Sequence, residues 1–189
     1  MELIKAIRER RTVHLYRHAN IDKAVLVEGL EAALLAPNHR FTFPWRFYVL
    51  GDNARQQLHQ LAVAKALGKR ENADATDRQA IEEKMARKFL NPAAIVVFAQ
   101  KRCHDPLQAK EDYAALSCAI QNFCLVMTNH GFGSKWSTTS LLHDDAFHRL
   151  VGLDPSDVEP VGLISVGLSA VELPGQKRPC IDELTTYLD

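Results

Sequence analysis

The stretch Asp112–His130, DYAALSCAIQNFCLVMTNH, and the GFGSKWSTT that follows it at Gly131–Thr139 decide how this chain is read. Tyr113, Leu116, Ala119, Ile120, Phe123, Cys124 and Met127 recur at helical spacing and share one broad face. Ala114, Ala115, Cys118, Leu125 and Val126 carry the apolar surface around most of the remaining circumference. A helix that is apolar all round is buried on every side. In a chain of this size it is either central or covered by a partner subunit. Gly131 supplies its C-terminal stop. Beyond that stop, Gly131 and Gly133 give backbone access, Trp136 a flat face, and Ser137, Thr138 and Thr139 hydrogen bonds. Those are the ingredients of a site for a planar cofactor with a polar tail.

Upstream, Leu3, Ile4 and Ile7 stand at helical spacing within Glu2–Arg11, with charges opposite. Asp22 has the position of an N-cap, and Val25, Leu26, Leu30, Ala33 and Leu34 line one face until Pro37 stops the helix. Trp45, Phe47 and Val49 alternate as in a strand, closed by Gly51-Asp52-Asn53, and a helix is expected over Ala54–Leu67. Gly68–Asp77 is polar and is expected as a mobile excursion, followed by a helix to about Phe89. AAIVVFA at Ala93–Ala99 is a short apolar run behind Asn91-Pro92, the pattern of a buried strand. Downstream, VGLISVGLS at Val161–Ser169 reads as another strand, with Gly162 and Gly167 placed for close backbone approach. These elements amount to a mixed α+β domain over residues 1–189 with helices predominating and about four strands.

Composition bounds the partners. The 189 residues are 47% hydrophobic and 24% charged, enough for an unaided core, and correspond to about one domain. Lys plus Arg is 23 and Asp plus Glu is 23, so the net charge is zero and nothing marks a nucleic-acid binder. No apolar run approaches the ~18 residues of a spanning helix. Glu2, Lys5, Arg8 and Glu9 interrupt the amino terminus where a signal peptide needs an apolar core, so a cytoplasmic protein is expected. Cys103, Cys118, Cys124 and Cys180 form no CxxC pair. Cys118 and Cys124 are separated by about 600° of helical rotation and read as small buried hydrophobes.

Familiar catalytic signatures are missing: there is no GxxxxGK[ST], no GxSxG and no HExxH. His143 and His148 are five apart, off the i, i+4 spacing of helical metal ligands, and no metal is expected. Gly131-Phe132-Gly133 lacks the third glycine and preceding strand of a dinucleotide fingerprint. Arg10-Arg11-Thr12 offers two guanidinium forks and a hydroxyl, a clamp for phosphate. The same residues also serve as a basic helix terminus complementing the macrodipole. Ala36-Pro37-Asn38-His39, followed by Pro44-Trp45, is a proline-bracketed loop carrying an amide and an imidazole.

The order of these pieces is more telling than any one of them. An N-terminal helix ending RRT, APNH leading into PW and a strand, a long apolar helix ending GFGSKWSTT, VGLISVGLS, and a basic KRP near the end resemble the nitroreductase family of FMN enzymes. The resemblance spans Ile4 to about Leu188 and looks closest to the short bacterial NAD(P)H nitroreductases with a histidine at the position of His39. It implies a central, mostly antiparallel sheet of four to five strands surrounded by helices, in an interlocked homodimer with two FMN sites at the interface. By the same resemblance Arg10, Arg11 and Thr12 hold the FMN phosphate and ribityl chain, and Lys177 and Arg178 neutralise the phosphate. Pro37, Asn38 and His39 reach the isoalloxazine from the neighbouring subunit, and Trp136, Ser137 and Thr138 border the flavin. The tail Ile181–Asp189 pairs with the partner.

The implied activity is a ping-pong cycle, in which NAD(P)H gives hydride to flavin N5 and a nitroaromatic, quinone or similar acceptor takes the electrons. The flavin carries the chemistry, so no side chain is assigned a catalytic role. Gly68–Asp77 and the helix after it are candidates for a cover over the acceptor pocket. Two positions depart from the family pattern. Phe43 stands where many members have a flavin-contacting Gln, and Val13-His14-Leu15 follows RRT where many have a cation beside flavin N1. Two other readings use the same residues differently: a flavin-binding or flavin-sensing dimeric interaction protein, and a cofactor-free dimer in which the Arg and Trp segments are structural.

Overall fold

The computed structural model describes residues 2–70 and 72–188; Glu71 of the expected excursion and Asp189 of the tail lie outside the described residues. Its centre is β3 (Ala94–Lys101), buried from Ala94 through Gln100. Side chains alternate along a strand. Ala94, Val96 and Phe98 therefore enter one core with α2 (Lys23–Leu34) and α5 (Pro106–Asn129), while Ile95 and Val97 enter a second. That second core holds Leu58 of α3 (Asp52–Leu67), Phe89 of α4 (Ala75–Phe89) and Phe147 of α6 (Asp145–Val151). Helices thus cover both faces of the sheet, which is why AAIVVFA is a continuous apolar run and not an alternating one.

The sheet has five strands, every pairing antiparallel, as an α+β nitroreductase-like architecture requires. β2 (Trp45–Val49) pairs with β3, and β5 (Val158–Ser169) pairs with β3, with β4 (Gly133–Ser137) and with the short β1 (Tyr16–Arg17). Phe98 faces Gly162 but Ala99 faces Pro160, so Val161 is an extra residue that bulges β5. Outside the strands, Thr12 makes a parallel bridge to Ser134, and Val13 N donates to Ser134 O at 3.1 Å. This joins the segment after α1 (Leu3–Glu9) to β4.

Most expected elements occur, with shifted ends. α5 begins six residues before Asp112, because the Asp105 carboxylate accepts from Leu107 N and Gln108 N and Pro106 opens the first turn. Asp22 caps α2 through Ala24 N at 2.9 Å, and Gly131 leaves α5 at φ 79°. The polar stretch after Gly68 is shorter than expected: Asp74 caps α4 through Asp77 N, so Asp77 is already helical. β4, where only a loop was expected, α6 and β1 are additions.

The expectation that α5 is buried on every side is corrected. Leu116, Ile120, Phe123 and Met127 are buried, whereas Tyr113, Ala114 and Cys118 face outward from this chain, so Cys118 is exposed and only Cys124 of the pair is buried. α5 lies in an outer layer and meets the sheet, α2 and α1 from one side. Among the described residues no helix is long and apolar enough to cross a membrane, and no group of three or more metal-ligating side chains forms.

Two buried contacts set the fold's tolerances. Arg55 donates from α3 to Phe89 O at 3.1 Å, Leu90 O at 2.6 Å and Pro92 O, occupying carbonyls left free where α4 ends. Replacing it by Met should lower unfolding free energy in urea by about 3 kcal/mol, since hydrogen bonds from a charged donor are lost and carbonyls are orphaned. Gly162 of β5 lies beneath Trp136 of β4: a Cβ there would stand 2.1 Å from the indole Nε1. Gly162→Ala should displace the indole, shift its fluorescence emission and cost roughly 1–3 kcal/mol in the same unfolding assay. Unchanged emission and stability would show that the ring yields freely.

Candidate functional site

Bridging Thr12 to Ser134 brings the end of α1 against β4, and the tail after β5 closes over both. A cleft of 730 Å³ results, lined by Arg8, Arg10, Arg11, Thr12 and His14 from one side and by Leu173–Gln176 and Arg178 from the other, with Gln121 of α5 also exposed to it. No described carboxylate lines this cleft. A hollow of 210 Å³ shares Arg10, Thr12 and Gln121 with it and reaches Ser117, Cys124, Ser134 and Trp136. Three separated motifs, RRT, the segment after the long helix, and the basic residue near the end, therefore meet around one site.

The guanidiniums play different parts. Arg11 Nη1 donates to Arg8 O at 2.5 Å and to Arg10 O at 3.0 Å, occupying carbonyls at the end of α1. Its Nε is buried without a partner. Arg8, Arg10 and Arg178 make no ion pair among the described residues. The Ser134 hydroxyl is also unpartnered although the residue is 2% exposed. A buried polar group without a partner is costly, and this one lines the hollow beside Arg10 and Trp136. Burial pushes the Cys124 thiol up, against the opposing pull of Ser134 and Arg10. A neutral buried thiol is part of the wall, not a nucleophile. Burial and the nearby Cys124 likewise push up the Tyr16 phenol, whose hydroxyl donates to Ser165 O at 3.3 Å. This set of unpaired donors, with no acid to oppose an anion, fits a ligand carrying phosphate and a hydroxyl-rich chain. Trp136, whose Nε1 donates to Val161 O at 3.4 Å, leaves part of its ring exposed beside them.

The other candidates are placed apart. Lys177 is exposed and lines neither space, whereas Arg178 lines the cleft. Ser137 ends β4, and Thr138 lines a separate cleft of 400 Å³ with Lys110, Tyr113, His143 and Glu159. Pro37, Asn38 and His39 line none of these spaces. Their loop is tied instead to the first half of α5. Asn38 Oδ1 accepts from Phe43 N at 2.8 Å, Asn38 Nδ2 donates to Thr42 Oγ1 at 2.9 Å, and Thr42 Oγ1 donates to the buried Asp112 at 2.5 Å. His39 Nδ1 lies 2.8 Å from Glu111 Oε2. Arg40, Phe41 and Phe43 hold φ of 58°, 51° and 46°, a region unfavourable for bulky side chains, and Phe41 and Phe43 are exposed.

Arg8, His14, Gln121, Ser134 and Lys135 were not singled out from the sequence. Gln121 carried a signal, a polar residue within the most apolar helix. Lys135 corrects the view that no cation follows RRT: its Nζ lies 3.1 Å from His14 Nδ1, brought there by β4 and not by sequence proximity.

Known proteins share this arrangement. A Bacillus subtilis protein named "Putative NAD(P)H nitroreductase YfhC" is 31% identical over 155 residues, covering 80% of this chain and 76% of its own. The crystal structure of a nitroreductase-like family protein from Bacillus cereus superposes with a TM-score of 0.82 at 26% identity, over 100% of this chain and 97% of that one. The FMN and NADPH-dependent nitroreductase NfnB from Sphigopyxis sp. strain HMH has the same fold, with a TM-score of 0.81 at 16% identity over the full length of both chains. The model of the nitroreductase family matches residues 7–168, and with the RRT segment, the long helix and β4 all inside that match, the chain belongs to the nitroreductase family.

Proposed function

We propose that this chain is an FMN-dependent oxidoreductase that takes electrons from NAD(P)H, and that the cleft between Arg10, Thr12, Trp136 and Arg178 is its flavin site. The observation that carries this reading is the convergence of unpaired guanidiniums and the unpartnered Ser134 hydroxyl on one acid-free cleft beside an indole. When bound, FMN supplies the redox chemistry, accepting hydride from NAD(P)H and passing electrons to a nitroaromatic, quinone or similar acceptor in a ping-pong cycle. Arg10 and Arg178 bind the phosphate by charge-assisted hydrogen bonds. Thr12 and Ser134 donate to the ribityl hydroxyls, and Trp136, Ser137 and Thr138 border the ring. Arg11 acts mainly by holding the end of α1, so that Arg10 faces the cleft. Lys177 adds to the positive field only.

Pro37, Asn38 and His39 complete the site from a second copy of the chain. Two features support that: the loop lines no part of its own chain's cleft, and its hydrogen bonds to α5 hold it in one shape. A dimer interface is further supported by the apolar groups this chain leaves exposed on α1 (Leu3, Ile4), α5 (Tyr113) and the tail (Ile181, Leu184, Tyr187, Leu188).

A visible spectrum of the purified protein, followed by anaerobic NADPH, tests the main reading. A flavin spectrum that bleaches is expected. A spectrum that persists favours the flavin-sensing alternative, and a colourless protein that refuses added FMN rejects the site. Arg10→Ala combined with Arg178→Ala should weaken FMN at least about a hundredfold, because each removes bonds to a charged group. Unchanged affinity would sink the phosphate assignment. For the dimer, chromatographic mass should be near twice 21.2 kDa, and Cys118 should resist maleimide in the native protein. Labelling of Cys118 at the rate of a free thiol would show that no second copy covers this face of α5.

A further inference from the structure

The cleft carries more positive charge than a flavin phosphate requires. A phosphate monoester is close to a dianion at neutral pH, and Arg10 with Arg178 already matches it. Arg8 and His14 line the same cleft, and Lys135 Nζ stands 3.1 Å from His14 Nδ1. Beyond Lys135 lie two lysines of α4. Lys88 has its ammonium held down first by burial and then by the charges of Lys135 and Lys84, and its Nζ sits 5.0 Å from the Phe89 ring centroid. None of Arg8, Lys84, Lys88, Lys135 or His14 has a carboxylate partner among the described residues. Like charges gathered without a counter-ion repel one another, and an anion relieves them.

We propose that His14 and Lys135 form a subsite for a second phosphate monoester, the 2′-phosphate of NADPH, and that this subsite gives the protein a preference for NADPH over NADH. The inference rests on the flavin-site reading above, and it names the electron donor that reading leaves open. The geometry suits a monoester. Two donor groups 3.1 Å apart match a group with three acceptor oxygens and nearly two charges. The 2′-hydroxyl of NADH brings no charge to the same place. The diphosphate that both nucleotides share brings the same charge from each, so discrimination falls on this pair. Lys84 and Lys88 add to the field from the adjoining helix without needing to touch the ligand.

The test is Lys135→Gln, with Lys135→Arg as the variant that keeps the charge. With FMN content verified by absorbance, kcat/KM for NADPH should fall about tenfold in Lys135→Gln and stay within about twofold in Lys135→Arg, while NADH changes little in either. Calorimetric titration of FMN-saturated protein with adenosine 2′,5′-bisphosphate and with AMP gives a readout independent of turnover. The bisphosphate should bind about tenfold tighter than AMP, and Lys135→Gln should abolish the difference. Equal affinities, or a difference that survives the substitution, would overturn the subsite. Inorganic phosphate competing as well as the bisphosphate would reduce it to a general anion site and overturn the nucleotide assignment. A protein that takes no FMN fails the earlier reading, whereas the bisphosphate preference, measured on that same protein, stands or falls separately.

Discussion

β5 is hydrogen-bonded along one edge to β3 and along the other to β4, and the site depends on that double pairing. The β3 edge anchors β5 in the buried centre of the sheet, between the two cores. The β4 edge then fixes Ser134 and Trp136 in register, Ser134 opposite Val166 and Trp136 opposite Ile164. Gly162 and the Val161 bulge shape the surface on which the indole rests. Because Thr12 is bridged to Ser134, the arginines at the end of α1 inherit the same register. A shift in β4 would move both halves of the cleft at once, since a slip of one residue turns each side chain to the opposite face.

Whole-chain charge and local charge lead to opposite impressions here. The 23 basic and 23 acidic residues cancel, and that balance correctly gave no sign of a polyanion partner. Yet the cleft gathers Arg8, Arg10, Arg11 and Arg178 with no described acid among its lining residues. Potential at a concave site depends on the charges facing it, not on the sum over the molecule. Several acids are engaged elsewhere: Asp22, Asp74, Asp105 and Asp144 cap helices, and Glu83 and Glu159 pair with basic residues on the surface. The distribution leaves the cleft free for an anion without giving the protein a net charge.

Much of the architecture was legible because it is written in local pattern. The run Ala93–Ala99 announced a strand covered on both faces, and Asp22 announced a helix start by its own side chain. β4 was not legible, since a strand starting at glycine with lysine and serine has little β preference and is held by its partner β5. The outer face of α5 was misread for a related reason: apolar composition shows that a surface is fit for burial, not what buries it. The same division holds at the site. Arg10, Thr12, Trp136 and Arg178 could be nominated from the order of motifs along the chain. Ser134, His14 and Lys135 could not, because a strand pairing and a parallel bridge bring them together across some 120 residues.

The first helix illustrates how weakly a ligand-holding element can be attached. α1 buries only Ala6, exposes Leu3, Ile4 and Ile7, and carries guanidiniums with no described acid among the residues that line their cleft. Such an element opens at a small free-energy cost compared with the central strands. An anion that binds only the closed form raises that cost in proportion to the logarithm of its concentration. The amino-terminal amides are therefore coupled to occupancy of the cleft, and their exchange with solvent deuterium is a local gauge of how much of the protein is loaded.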